Sequence, residues 1–248
     1  MIKLFKFFII FILVELSFEK LPPTIPKCQR NDPNISVCIA KAIEVLKPRF
    51  ETGDFGGGYL IPKLEPMFIK EMNFGEGQGL DIRLFDANVY GVTTFKVEKL
   101  RVNMKDLKFD ALISIPKLMT YSKYQMAFKF FGNNLKTNGD YFIVHNNVKL
   151  ILQIKLKKII KNGIEVIRVE PIPVQFDNGS ISQLKISNLF GGNKAIEEII
   201  HAILINNPEF SAGNSIPVIE ASLSSIFTDL ANKILDTTTF DEMFPISL

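Results

Sequence analysis

Two cysteines and two histidines are the whole stock of thiolate and imidazole zinc ligands in this 248-residue chain. A structural zinc site needs four such ligands brought together at short spacings. Cys28 and Cys38 lie early in the chain, and His145 and His201 stand far from them and from each other. No metal or cofactor is expected. Serine hydrolases of the Gly-x-Ser-x-Gly type and zinc enzymes of the His-Glu-x-x-His type are excluded by motif. An esterase would need a nucleophile within reach of a base. His145 follows an alternating segment and precedes Asn146-Asn147, which reads as a turn. His201 lies between Ile200 and Ala202. Both read as surface or internally satisfied histidines, so no catalytic residue is assigned. No pair of carboxylates is marked out for glycoside hydrolysis. Gly75-Glu76-Gly77-Gln78-Gly79 resembles a dinucleotide loop only in its glycine count, because no βαβ unit surrounds it. What remains is the chemistry of water exclusion. Hydrophobic residues make up 47% of the chain, with 22 Phe and no Trp.

Lys plus Arg is 29 and Asp plus Glu is 26. That near balance lacks the clustered basic face a nucleic-acid binder needs. The lysines within 149–161 alternate with Leu and Ile, as on the wet face of a strand rather than a membrane patch. Lys3 and Lys6 precede a short apolar run over 7–14, and the small Ser17 follows. This is the layout of a secretory signal peptide over residues 1–17. The run is too short to span a bilayer, so no integral membrane segment is expected in the mature chain. Export places Cys28 and Cys38 in an oxidising compartment, where a disulfide is expected. It also makes Asn34-Ile35-Ser36 and Asn178-Gly179-Ser180 glycosylation candidates, at Asn34 and Asn178.

These groups must be positioned by a small set of elements. Asn34 or Ser36 is placed to cap a helix running to about Arg49, with Val37, Ala40, Ala42, Ile43 and Leu46 as its apolar stripe. Residues 60–66, Leu-Ile-Pro-Lys-Leu-Glu-Pro, are extended and barred from a helix by proline. Between 67 and 187 alternation dominates. The apolar sets are Leu80, Ile82, Leu84; Leu107, Phe109, Ala111; Tyr124, Met126, Phe128, Phe130; Tyr141, Ile143; and Val148, Leu150, Leu152, Ile154, Leu156. Period-two alternation predicts strands with one buried face. Turns are expected at 75–79, 132–134, Asn138-Gly139 and Asn162-Gly163. The outcome is a long antiparallel meander without crossover helices. The period then changes. Ile196, Ile199, Ile200, Ile203 and Leu204 predict a helix over 194–206. A second begins near Ser215 and runs to Leu235, with Pro217 in its first turn. Its apolar residues cover more than one stripe, so it must be enclosed on several sides, as a curved sheet would do.

The order of these landmarks resembles the insect takeout and juvenile-hormone-binding protein family, within the tubular lipid-binding superfamily. Leu21-Pro22 with Ile25 and Cys28 comes first, and Cys38 follows. Leu60-Ile61-Pro62-Lys63-Leu64-Glu65-Pro66 is similar to the family's Ile-Pro-x-Leu-Asp-Pro segment, with Glu65 for the usual Asp. Asn88-Val89-Tyr90-Gly91, Pro116-Lys117-Leu118 and Tyr124 match the turn and middle strands. Asn188-Leu189-Phe190-Gly191-Gly192-Asn193 is similar to the family's Asn-Leu-Phe-Asn-Gly-Asn, and Ile205-Asn206-Asn207 and Pro217 follow at suitable spacing. One cysteine pair matches the takeout branch more closely than the true juvenile-hormone carriers, which typically carry a second pair.

The resemblance implies an α+β fold in which a long C-terminal helix is wrapped by a strongly curved antiparallel sheet, enclosing an apolar tunnel. It covers nearly all of a single mature domain, 18–248. It implies transport of a small lipophilic molecule, a terpenoid or acyl chain, in haemolymph or another extracellular fluid, without catalysis or cofactor. Links to feeding, daily rhythm and hormone physiology come with the family. A receptor is an open further partner. A chain of ~15 carbons gains roughly 12 kcal/mol gross on burial, and association costs take back several kcal/mol of it. Inward strand positions Leu84, Phe128, Phe130, Tyr141, Ile143 and Leu152 are expected to line the tunnel, closed by Ile199, Ile203, Leu223 and Phe227 of the helices. Tyr124 and Tyr141 offer hydroxyls to a polar head. Two other readings stand beside this one: an extracellular interaction protein with a permanently filled or purely structural tunnel, and, more remotely, a lipid esterase.

Overall fold

The computed structural model describes residues 21–247, apart from 23, 75–79, 131–132, 162, 190–193, 195–197, 199–214 and 236–237; at 80, 128–130 and 133–135 it describes the backbone alone. The expected signal peptide, the 75–79 turn, the 194–206 helix apart from Lys194 and Glu198, and with it Ile199, His201 and Ile203, therefore lie outside the described residues. So do the side chains of Phe128 and Phe130.

Helix α1 spans Ile35–Thr52. It runs past Arg49 even with Pro48 inside it, and Gly53 ends it in the left-handed conformation at φ 80°. Asn34 holds the N-cap position, but its side chain makes no capping bond; its backbone N–H instead donates to Asp32 Oδ1 at 2.7 Å. The buried stripe also differs from the expected one. Ile35 and Leu46 are buried, with Ile39 and Phe50 packed beside them, whereas Val37 points to solvent. Several apolar stripes are available on this helix, and only packing against the sheet selects one. The Cys28–Cys38 disulfide closes at a Cα separation of 5.9 Å and ties the N-terminal segment to the first turn of α1. A loop this short contributes roughly 2–3 kcal/mol in the chain-entropy account.

Eight strands follow: β1 (Met67–Phe74), β2 (Leu80–Tyr90), β3 (Lys96–Asn103), β4 (Lys108–Phe130), β5 (Asn133–Lys161), β6 (Ile164–Val169), β7 (Val174–Asp177) and β8 (Ser180–Ile186). All described pairings are antiparallel. The spine is the β4–β5 ribbon, of 23 and 29 residues. β3 and β2 pair successively along β4, and β6, β7 and β8 pair along β5.

Asn138-Gly139 and Asn146-Asn147 are not turns, as the sequence suggested; both lie within β5. Gly139 stays in the strand because Tyr124 lies across it. A Cβ there would meet Ser187 O at 2.5 Å and Tyr124 Cε1 at 3.1 Å. Asn147 marks a change of face. Phe109, Ala111 and Ile115 of β4 are buried, but beyond them the buried residues are Ser122 and Tyr124. β5 shifts likewise, from Ile143 to Val144, Val148, Leu150 and Leu152. Ile115 pairs with Val148 and Lys117 with Asn146, which leaves Pro116 opposite Asn147 at φ 57°. Proline has no N–H to give the ladder, and asparagine tolerates the left-handed region. The inward face thus changes parity without breaking the strands, and one ribbon serves two apolar clusters.

Helix α2 (Ile216–Leu235) is enclosed as its composition demands. It contacts β1, β6 and β7. Val218 and Ile219 pack on Phe74, Leu84, Tyr124, Ile143, Leu184, Ile186 and Leu189. Leu223 and Leu235 are buried in the main core, with Ile226, Phe227, Leu230 and Ala231 against it. Leu230 and Ile234 also meet the N-terminal cluster of Leu21, Ile25, Leu46, Phe55 and Ile61. Helix α3 (Phe240–Met243) carries a reciprocal capping box between Thr239 and Glu242. Arg30 fastens this end to the disulfide loop, donating from Nε to Phe244 O at 2.8 Å and pairing with Asp241.

Candidate functional site

The inward face of the second half of the β4–β5 ribbon gathers four of the expected lining residues. Leu84 of β2 pairs with Tyr124 of β4, and Tyr141 and Ile143 of β5 lie in the same cluster. Leu152, Leu223 and Phe227 belong instead to the main core, beyond the change of parity. The expected set is therefore divided between two apolar clusters, both of which α2 touches.

Three hydroxyl side chains around the first cluster are fully engaged. Tyr124, 1% exposed, donates from its hydroxyl to Ser187 O at 2.8 Å and stands 3.3 Å from Thr137 Oγ1. Thr137 in turn donates to Asn188 O at 2.7 Å. Ser187 Oγ accepts from Asp140 N–H at 2.8 Å. This network fastens the exit of β8 to the ribbon. Tyr124 was expected to offer its hydroxyl to a ligand head, but the bond to Ser187 commits that hydroxyl to the fold. Gly139 makes the arrangement feasible, since only a residue without a side chain lets the ring approach the backbone so closely.

Tyr141 differs. Among the described residues its hydroxyl has no hydrogen-bond partner, and burial pushes its pKa well above the usual phenol value, so it stays protonated. Directly across the ladder sits Ser122, 8% exposed, whose Oγ also lacks a partner. Sequence reasoning passed over Ser122. The signal was present: it stands two residues before Tyr124 and so shares its face. Its polarity kept it out of an apolar alternation.

His145 lies at the change of parity. Its Nδ1 is 3.1 Å from Asn178 O. A carbonyl only accepts, so Nδ1 carries the hydrogen. Burial lowers its pKa, and the bond to Asn178 opposes that in part. The ring thus serves to hold the β7–β8 turn. Gly179 occupies this turn at φ 61°, and a Cβ there would collide with Asn146 O. Of the two sequons, Asn34 is exposed and Asn178 half-buried in this turn. Lys149, Lys155, Lys157, Lys158 and Lys161 are all exposed, as a solvated strand face requires. No group of three or more His, Cys, Asp or Glu side chains that could hold a metal ion occurs among the described residues. No described helix is long and apolar enough to cross a membrane.

The fold is similar to the crystal structure of Takeout 1 from Epiphyas postvittana, with a TM-score of 0.73 at 18% identity over 88% of this chain and 98% of that one. A looser likeness, with a TM-score of 0.35 at 11% identity, relates 77% of this chain to 36% of lipopolysaccharide binding protein. No curated protein matches the sequence. The haemolymph juvenile hormone binding protein family profile matches residues 7–245. The landmark order, the helix enclosed by a curled antiparallel sheet and this near-complete match agree, and the chain belongs to the haemolymph juvenile hormone binding protein family.

Proposed function

We propose that this protein is a secreted carrier that holds a small lipophilic molecule in an apolar hollow between α2 and the curled sheet. Residues 1–17 are its signal peptide, and the remainder is one ligand-binding unit working in haemolymph or a comparable extracellular fluid. The observation that carries this reading is the enclosure of α2. Its apolar residues meet three separate clusters rather than one stripe. Ile219, Ile226, Phe227 and Leu230 stay only partly buried even so. A helix apolar over most of its girth and incompletely covered by its own chain is suited to a ligand that completes the packing. Leu84, Tyr141 and Ile143 are the proposed wall at one end, and Leu152, Leu223 and Phe227 at the other. Binding is by burial, roughly 0.8 kcal/mol per methylene, which after association costs reaches micromolar to nanomolar affinity. Family membership supports the same class of ligand, with terpenoids and acyl chains the leading candidates.

The test is displacement of a fluorescent long-chain fatty acid from the purified mature protein, with native mass spectrometry and lipid extraction on protein from its own source. One saturable, displaceable site per chain is expected. Failure of fatty acids, terpenoids and quinones alike to displace any probe would exclude the carrier.

A further inference from the structure

We propose that the cross-strand pair Ser122–Tyr141 is a polar subsite within the apolar interior that recognises a neutral hydrogen-bond-accepting oxygen, an ester, ketone or quinone carbonyl, on the bound lipophile. This deepens the carrier reading and rests on it.

Buried hydroxyls in folded proteins are almost always hydrogen-bonded, because water's partners must be replaced. This cluster obeys that rule at Tyr124, Thr137 and Ser187, each bonded within 2.8 Å of a backbone group. Ser122 breaks it, and its register partner Tyr141, part-buried, makes no hydrogen bond among the described residues either. Ser122 Oγ is the buried side-chain polar atom left without a bond among the described residues. Two unpaired hydroxyls on facing positions point to an acceptor that the chain itself does not supply.

The neighbourhood is shaped for close approach. β2 bulges between Phe85 and Asn88, so that Asp86 and Ala87 together oppose Ser122. Asp86 takes φ 53° there, and Ala87 is buried. Bulges of this kind recur beside binding sites, where they re-aim side chains. The small Ser122 thus lies beside the large Tyr141, with the small Ala87 one strand further on and Ile186 on the other flank of Tyr141. A tyrosine hydroxyl stands farther from its strand than a serine hydroxyl, so the two donors sit at different depths.

Among the described residues no inward cation lies nearby, and this sets the ligand class. Lys123 pairs with Asp140 and Arg83 with Glu71, all on the exposed side of these strands. A carboxylate entering this cluster would be desolvated with no charge to meet it. A neutral carbonyl loses little on leaving water and gains a donor. Tyr141 remains a donor, not a phenolate, across the physiological range.

The experiment uses the mature protein loaded with N-phenyl-1-naphthylamine, displaced by 2-heptadecanone, heptadecane and heptadecanoate. Wild type should be displaced by the ketone at about five- to tenfold lower concentration than by the alkane, the worth of one hydrogen bond, and more readily by the ketone than by the carboxylate. Tyr141→Phe should shrink the ketone's advantage over the alkane, read as the ratio of the two displacing concentrations. Ser122→Ala should do the same without lowering the melting temperature of the unliganded protein, since it deletes an unsatisfied buried group; it serves alone if Tyr141→Phe fails to fold. An advantage that survives both substitutions, or is absent in wild type while the alkane still competes, overturns the subsite and leaves the carrier standing. If none of the three ligands displaces the probe, and terpenoids also fail, both readings fall.

Discussion

Gly139 and Tyr124 show how one residue without a side chain can set a neighbour's role. The ring lies over the glycine and spends its hydroxyl on Ser187 O. Gly139→Ala places a methyl group against Ser187 O and Tyr124. It should destabilise by roughly 1–3 kcal/mol, the usual cost of overpacking, read as a lowered urea midpoint with unchanged slope. His145 makes a second prediction at this scale. Its folded pKa lies below the ordinary 6.5. The unfolded chain therefore binds more protons between the two values, and stability rises with pH there. The contribution is complete above about 6.5 and fades as pH falls through the folded value. Melting temperatures measured between pH 7.5 and 5 should decline, and His145→Gln should flatten that part of the decline. A profile identical in wild type and variant would exclude this role.

At the scale of elements, α2 does more than fill space. Glu220, Thr228 and Asn232 form a polar line along it, at helical spacing. Glu220 Oε1 accepts from Phe176 N–H at 2.8 Å, Thr228 Oγ1 from Ile172 N–H at 2.9 Å, and Asn232 Oδ1 from Val169 N–H at 2.8 Å. Asn232 Nδ2 also donates to Val169 O at 3.1 Å. These bonds occupy backbone groups of β6, β7 and their connection that would otherwise be an open edge. Asn232→Ala strips both partners from Val169 and should cost roughly 2–4 kcal/mol; Asn232→Asp keeps the acceptor but sets a carboxylate oxygen against Val169 O, so it too should be destabilising. Urea unfolding reads both losses, and a variant as stable as wild type would show that these bonds do not hold α2 to β6. The alternation around Tyr124 and around Leu152 was legible because each half of the ribbon keeps a strict period of two. What misled was the asparagine chemistry between the halves. Asn138-Gly139 and Asn146-Asn147 have turn composition, yet one answers a close ring approach and the other a change of face. Both are set by residues far away in sequence.

For the whole molecule, the carrier reading implies that stability and occupancy are linked. A ligand present at a hundred times its Kd adds about 2.7 kcal/mol, and for a chain of this size that raises the melting temperature by roughly 5–10 °C. Thermal unfolding across a ligand series should follow that logarithmic dependence and level off for compounds too long or too wide to enter. The sequence by itself determined the strands, the terminal helix and its need for enclosure on several sides, because periodicity and composition are local. It also identified the cysteine pair and a landmark order sufficient for the family. Only the tertiary structure decided which hydroxyls are committed and which are free. Tyr124 and Tyr141 look alike in an alternating strand. Their difference comes from Ser187, brought to one of them by the return of β8, and from Ser122, set opposite the other by the register of β4 on β5. A hydrogen bond is satisfied in space, so no reading along the chain could have told the two apart.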